Sequence, residues 1–131
     1  MSAARILGFA ALAALGLLAA SCVSVPSDHL LSPAELSRML AEGDELFFVN
    51  THVPYEGEIA QTDAFIPYNE IEDNRASFPA DPGARIVVYC RSGRMSAIAA
   101  ATLARLGYTN VWDLRGGMIE WEKAGLPVTG G

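Results

Sequence analysis

The stretch that most limits what this chain can become is the join at residues 85–106, where a buried-strand pattern gives way to a helical one. Arg85-Ile86-Val87-Val88-Tyr89 carries three consecutive β-branched residues and no polar alternation, the pattern of a strand covered on both faces. Met95, Ile98, Ala99, Thr102, Leu103 and Leu106 then recur with a 3.6-residue period and define one helical face, which Gly107 closes. Alanines at 97, 100, 101 and 104 leave room for that helix to lie close on a sheet. A strand buried on both faces needs a layer on each side, so the pattern points to helices above and below a parallel sheet. Between strand and helix lies Cys90-Arg91-Ser92-Gly93-Arg94.

The rest of the chain agrees with an α/β class. Ser32-Pro33-Ala34-Glu35 has the form of a capping box with proline at the first helical position, so a helix is expected from there to Gly43, with Leu36, Met39 and Leu40 inward. Leu46-Phe47-Phe48-Val49 reads as a second buried strand, and residues 50–62 read as a loop. Ala64-Phe65-Ile66 is a short strand before Pro67. Residues 68–84 hold a possible helical turn and then a turn segment over 78–83. Val111-Trp112-Asp113-Leu114 is the next strand, and Gly116-Gly117 leads into a short helix over 118–124, ended by Gly125.

The N-terminal segment does not fit this layering. Arg5 precedes an apolar run over 6–20 that lacks a polar face. As a helix it would span about 22 Å, short of the ~30 Å hydrocarbon core of a bilayer. A positive start, an apolar run and Ala19-Ala20-Ser21 suit a signal peptide over 1–21, with 22–29 as a linker and 30–131 as the folded domain. Leu18-Ala19-Ala20-Ser21-Cys22 is similar to a bacterial lipobox, although Leu18 lies one place further from the cysteine than that pattern prefers. The resemblance makes Cys22 the lipid attachment site of an exported cell-envelope lipoprotein; cleavage to a soluble periplasmic form and a retained anchor remain open beside it.

The formal net charge is −6, and Arg5 is the one basic residue of the leader, so the remaining domain is more acidic still. No basic stripe appears, which argues against nucleic acid as a partner. The two histidines and two cysteines lack the spacing of a metal site, so neither a metal nor a cofactor is expected.

Cys90 carries the chemistry. A helix N-terminus offers unpaired amides and the positive end of a dipole, Arg91 and Arg94 add charge, and Gly93 lets the backbone curl so that successive amides point inward. Each effect favours thiolate over thiol. Two structural alternatives stand beside this: an inert buried cysteine with solvent-facing arginines, and a Cys22–Cys90 disulfide.

Cys90-Arg91-Ser92-Gly93-Arg94-Met95-Ser96 resembles the active-site loop of rhodanese domains. Gly107-Tyr108, the strand over 111–114, Gly116-Gly117, Trp121, Gly125 and Pro127 are similar to the second half of the same family. The likeness is specific over 85–128 and looser over 30–70. It implies a parallel sheet of about five strands flanked by helices, and a sulfurtransferase in which Cys90 alternates between thiolate and persulfide. A small anionic donor such as thiosulfate would supply sulfur to a thiol or cyanide acceptor. Arg91, Ser92, Gly93, Arg94, Met95 and Ser96 would bind the substrate, with Ser92 and Ser96 either bonding the sulfur or capping the helix.

The first half departs from the family. Asn50-Thr51-His52 stands where an Asp-x-Arg is common, and residues 57–64 replace a Gly-His-Ile-Pro-Gly-Ala segment, so the pocket rim differs. His52 is either a proton donor at the pocket mouth or an exposed loop residue. Other functions considered are a persulfide carrier or envelope interaction module without turnover, and a cysteine phosphatase or arsenate reductase. The last two call for arginine six residues after the cysteine, where this chain has Ser96.

Overall fold

The computed structural model describes residues 29–131; the expected signal peptide over 1–21, Cys22 and all but the last residue of the linker lie outside the described residues. At the centre is β5 (Ile86–Tyr89), with all four residues buried. β2 (Phe47–Asn50) pairs with it on one side and β6 (Val111–Leu114) on the other, both parallel. β4 (Ala64–Phe65) extends the sheet beyond β2, and β1 (Leu30–Leu31) extends it beyond β6. The result is a five-stranded parallel sheet in the order β1-β6-β5-β2-β4.

Side-chain alternation along β5 assigns the layers. Ile86 and Val88 join a cluster with Ala99, Ala100 and Leu103 of α2 (Arg94–Arg105). Val87 and Tyr89 join the opposite cluster, with Leu36 of α1 (Pro33–Glu42) and Met118 and Trp121 of α3 (Gly117–Lys123). Three helices therefore cover the sheet, one on one face and two on the other. The capping box of α1 is present in both directions, with the Glu35 amide on Ser32 Oγ at 3.1 Å and the Ser32 amide on Glu35 Oε2 at 2.9 Å.

Two expectations need correction, and the helical turn expected within 68–84 is present. The helical face of α2 is rotated from the expected one: Ile98 is 41% exposed, while Ser96 is fully buried. The inward stripe runs through Ser96, Ala99, Ala100 and Leu103, so Ala99 and Leu103 of the expected face are buried while Ile98 turns outward. Residues 50–62 are not all loop, because Asn50 ends β2 and Glu58–Ile59 form β3. β3 pairs antiparallel with β7 (Val128–Thr129) as a separate small sheet that ties the chain's end to its first half. Within 68–84, residues Arg75–Ser77 form a single 3₁₀ turn.

Candidate active site

Cys90 follows β5 at the carboxyl edge of the central strand, where ligands of open parallel sheets bind. The chain must then reverse into α2 within three residues, and Gly93 makes this possible with φ of 103°, a region that side chains seldom adopt. The turn aims the Gly93 amide back at the sulfur, with N to Sγ at 3.0 Å. One turn into α2, Ser96 Oγ lies 3.4 Å from Sγ, and its hydroxyl also donates to the Gly93 carbonyl at 3.3 Å. Ser96 therefore bonds the sulfur, and no side chain caps α2.

The loop is held from outside by α3. The Met118 amide donates to the Cys90 carbonyl at 2.9 Å, and the Ile119 amide donates to the Arg91 carbonyl at 3.0 Å. These bonds bring the backbone of Gly117 against the same two carbonyls, with no room for a side chain. On the other flank, Thr51 fastens β2 to the end of β5: its amide and its hydroxyl both donate to the Tyr89 carbonyl, at 2.8 and 2.9 Å.

Several expected roles shift. Cys90 is 1% exposed, with the Gly93 amide and Ser96 packed against its sulfur, so burial accords with the alternative of a buried cysteine while the loop contacts accord with the anion-binding one. Among the described residues, Gly93 is the one whose amide donates to the sulfur, not a run of successive amides. Arg91 is half exposed and lies 3.6 Å from Glu56 Oε2, so part of its charge is matched by a carboxylate on the rim. Arg94 and Ser92 are exposed and Met95 is half-buried. His52 is not an exposed loop residue: it is 8% exposed, its Nε2 lies 2.8 Å from Glu56 Oε2, and its amide bonds Asn50 Oδ1 at 3.0 Å. Asn50 in turn donates to the Gly57 carbonyl at 3.0 Å. Glu56 thus joins His52, one of the departures at 50–52, to Arg91 of the cysteine loop.

Two residues near the site escaped the sequence reading. Glu56 gave no signal, being one acidic residue in a polar loop. Asp113 was visible as a polar residue inside a buried strand; it is 2% exposed, and its Oδ1 has no hydrogen-bond partner among the described residues. Burial pushes its carboxyl up to about 7, against the opposing pull of the Ser96 hydroxyl. No group of three or more metal-ligating side chains occurs among the described residues.

Residues 32–124 match the rhodanese-like domain family. The chain belongs to that family. A protein named sulfurtransferase from Allochromatium vinosum is 39% identical over 97 residues, covering 71% of this chain and 87% of that one. A probable adenylyltransferase/sulfurtransferase, MoeZ, of Mycobacterium tuberculosis is 29% identical over 116 residues, which is 86% of this chain and 29% of that much longer protein. Among solved structures, a rhodanese-related protein from Thermoplasma volcanium superposes with a TM-score of 0.65 at 27% identity, covering 77% of this chain and 97% of that one. This rhodanese-like domain therefore has sulfurtransferase relatives and the fold of its structural neighbours, with the cysteine loop inside the matched region.

Proposed function

We propose that this domain moves a sulfane sulfur from a small donor such as thiosulfate to a thiol or cyanide through a persulfide on Cys90. The observation that carries the reading is the Gly93 amide at 3.0 Å from Sγ, on a loop held by the N-terminus of α3. The Cys90 thiolate attacks the outer sulfur of the donor, the donor's S–S bond breaks, and sulfite leaves with the bonding pair. The acceptor then attacks the outer sulfur of the persulfide, and Cys90 departs as thiolate. One displacement is thereby divided into two easier ones. The Gly93 amide favours negative charge on Cys90 in both steps, and the Ser96 hydroxyl does so when its proton points to the sulfur. Arg94, exposed at the first position of α2, and Arg91, tethered by Glu56, draw the anionic donor and support the departing sulfite.

The burial of Cys90 favours a second reading, a carrier that stores the persulfide and releases it to one docked partner. The two separate on one experiment: thiosulfate treatment followed by intact mass and a thiocyanate assay, with and without Cys90→Ser. Loading by one sulfur atom and turnover, both lost in Cys90→Ser, support the enzyme. Loading without turnover supports the carrier, and no loading at all defeats both. A phosphatase is disfavoured because Ser96, bonded to the sulfur, stands where oxyanion binding calls for arginine. The reading extends to the cell envelope, with Cys22 as lipid attachment site after removal of 1–21. Metabolic labelling with a fatty-acid probe checks it, and label retained in Cys22→Ala refutes it.

A further inference from the structure

Asp113 is out of place in the core. It lies in β6 between Leu30 of β1 and Val88 of β5, in the middle of three parallel strands. Val111, two residues earlier, packs in the α2-side cluster, as does Val88, so Asp113 faces α2 on the same side of the sheet. Cys90 follows Val88 by two residues and faces that side too. Ser96 is fully buried on the first turn of α2, beside Asp113 and 3.4 Å from the sulfur. A carboxyl, a hydroxyl and a thiol are thus stacked beneath the loop, and the carboxyl retains an unpartnered oxygen.

Ser96 has one hydroxyl proton: the Gly93 carbonyl lies 3.3 Å from its oxygen and the sulfur 3.4 Å, and the Asp113 carboxyl faces α2 from the same side of the sheet as a third group that can compete for it. A neutral carboxyl gives its proton to Ser96 Oγ and leaves the serine proton free for the sulfur. An ionised carboxylate takes the serine proton instead and turns the oxygen lone pairs, along with its own negative charge, toward the sulfur. We propose that Asp113 is a positioning residue for Cys90: acting through Ser96, its buried carboxyl sets whether the sulfur receives a hydroxyl hydrogen bond. The inference rests on the sulfurtransferase reading only in taking Cys90 sulfur as the reacting atom.

Other titratable or charged groups on the neighbouring elements do not take this role. Arg94 and Arg105, at the two ends of α2, and Arg115, after β6, are exposed. His29, before β1, stacks on Trp112, whose side chain points to the opposite face of β6. Tyr89 faces the other layer, and the Tyr108 hydroxyl donates to the Pro79 carbonyl. Burial and Ser96 are the two influences on the Asp113 carboxyl, which titrates near 7.

The test follows iodoacetamide alkylation of the Cys90 peptide across pH in the full-length chain, with thiosulfate loading measured in parallel. Wild type, Asp113→Asn, Ser96→Ala and the double variant form a cycle. Asparagine imitates the neutral acid, so Asp113→Asn should hold roughly tenfold more Cys90 as thiolate than wild type just above neutral pH, and match it in acid. In the Ser96→Ala background the same change should have little effect. Coincident profiles for wild type and Asp113→Asn overturn the proposal. Coupling is reciprocal, so the carboxyl ¹³C titration of Asp113 should also move in Cys90→Ser, which needs no change at Asp113; an unmoved midpoint overturns the proposal as well. Intact coupling with no thiosulfate loading would defeat the sulfurtransferase reading alone. Normal loading with no coupling would defeat this inference alone.

Discussion

Gly117→Ala should damage the cysteine loop without touching the cysteine. Gly117 has φ of 59°, and a methyl there would overlap the Cys90 carbonyl oxygen and stand 2.6 Å from that of Arg91. Two effects add. The left-handed conformation costs a non-glycine residue about 1–2 kcal/mol. Relieving the overlap pushes the loop away from α3, weakening the Met118-to-Cys90 and Ile119-to-Arg91 bonds at 2.9 and 3.0 Å. At about 1 kcal/mol for each bond, the total loss is about 3–4 kcal/mol. The carbonyls carry Cys90 itself, and a shift of about 1 Å at a reacting atom lowers rate by about 10²-fold. Gly107→Ala is the control: Gly107 also has positive φ, 101°, but a methyl there meets nothing within 4 Å. It should lose only the conformational share, about 1–2 kcal/mol, and load sulfur normally. Urea denaturation and the rate of mass gain from thiosulfate read both quantities. If Gly117→Ala loses no more stability than Gly107→Ala and loads at the wild-type rate, the account of α3 as the clamp on the loop is wrong.

The buried carboxyl of Asp113 makes stability fall as pH rises. Its folded value, about 7, lies above the ordinary 3.8, so the native state keeps the proton after the unfolded chain has lost it. The contribution is fully present below the unfolded value and is lost as pH rises through the folded one, a drop on the order of 4 kcal/mol. Urea midpoints measured across that range should slope downward in wild type and flatten in Asp113→Asn; an equal slope in both excludes Asp113 as the cause. Tyr89→Phe should destabilise the domain by about 1–3 kcal/mol, because it leaves an amide in the packed core without its acceptor. The Tyr89 hydroxyl accepts from the Ile59 amide at 3.0 Å and shares a proton with Thr62 Oγ at 2.7 Å. Desolvation raises this phenol to about 12, so its stabilisation fades as pH rises from 10 through that value, and Tyr89→Phe should remove that alkaline fall. An unchanged urea midpoint in Tyr89→Phe would contradict the first expectation.

What could be read in the sequence was what neighbours in sequence decide. β5 and α2 were legible because burial on both faces and a 3.6-residue period each leave a pattern several residues long. α1 was legible because both halves of its capping box lie within four residues. β1, β3 and β7 are two residues each and carry no period; β3 and β7 exist only because Glu58 meets Thr129 and Ile59 meets Val128 across most of the chain. The exposed Ile98 shows the limit within a good pattern. Helical period fixes that one side packs, but the buried side is set by the sheet and by the cysteine loop, and it takes in Ser96 and Ala100 in place of Ile98.

The site divides along the same line. Cys90, Gly93 and Ser96 belong to one loop and its helix, so their proximity follows from a turn that must reverse a strand within three residues, while the choice between sulfur contact and helix cap for Ser96 did not. Glu56 and Asp113 reach the same place from a distant loop and a neighbouring strand. Glu56 could not be singled out, because a carboxylate in a polar loop looks the same whether or not it meets an arginine. Asp113 did leave a trace. A charged residue between tryptophan and leucine in a strand that must be buried conflicts locally with its surroundings, and such conflicts are resolved by strain, by a partner or by function. Here the carboxyl keeps an unpartnered oxygen, and Ser96, 3.4 Å from the Cys90 sulfur, is the side chain whose hydroxyl opposes the effect of burial on it. Relief of the conflict and control of the sulfur therefore pass through the same hydroxyl, and for that reason the anomaly belongs to the site and not to the scaffold.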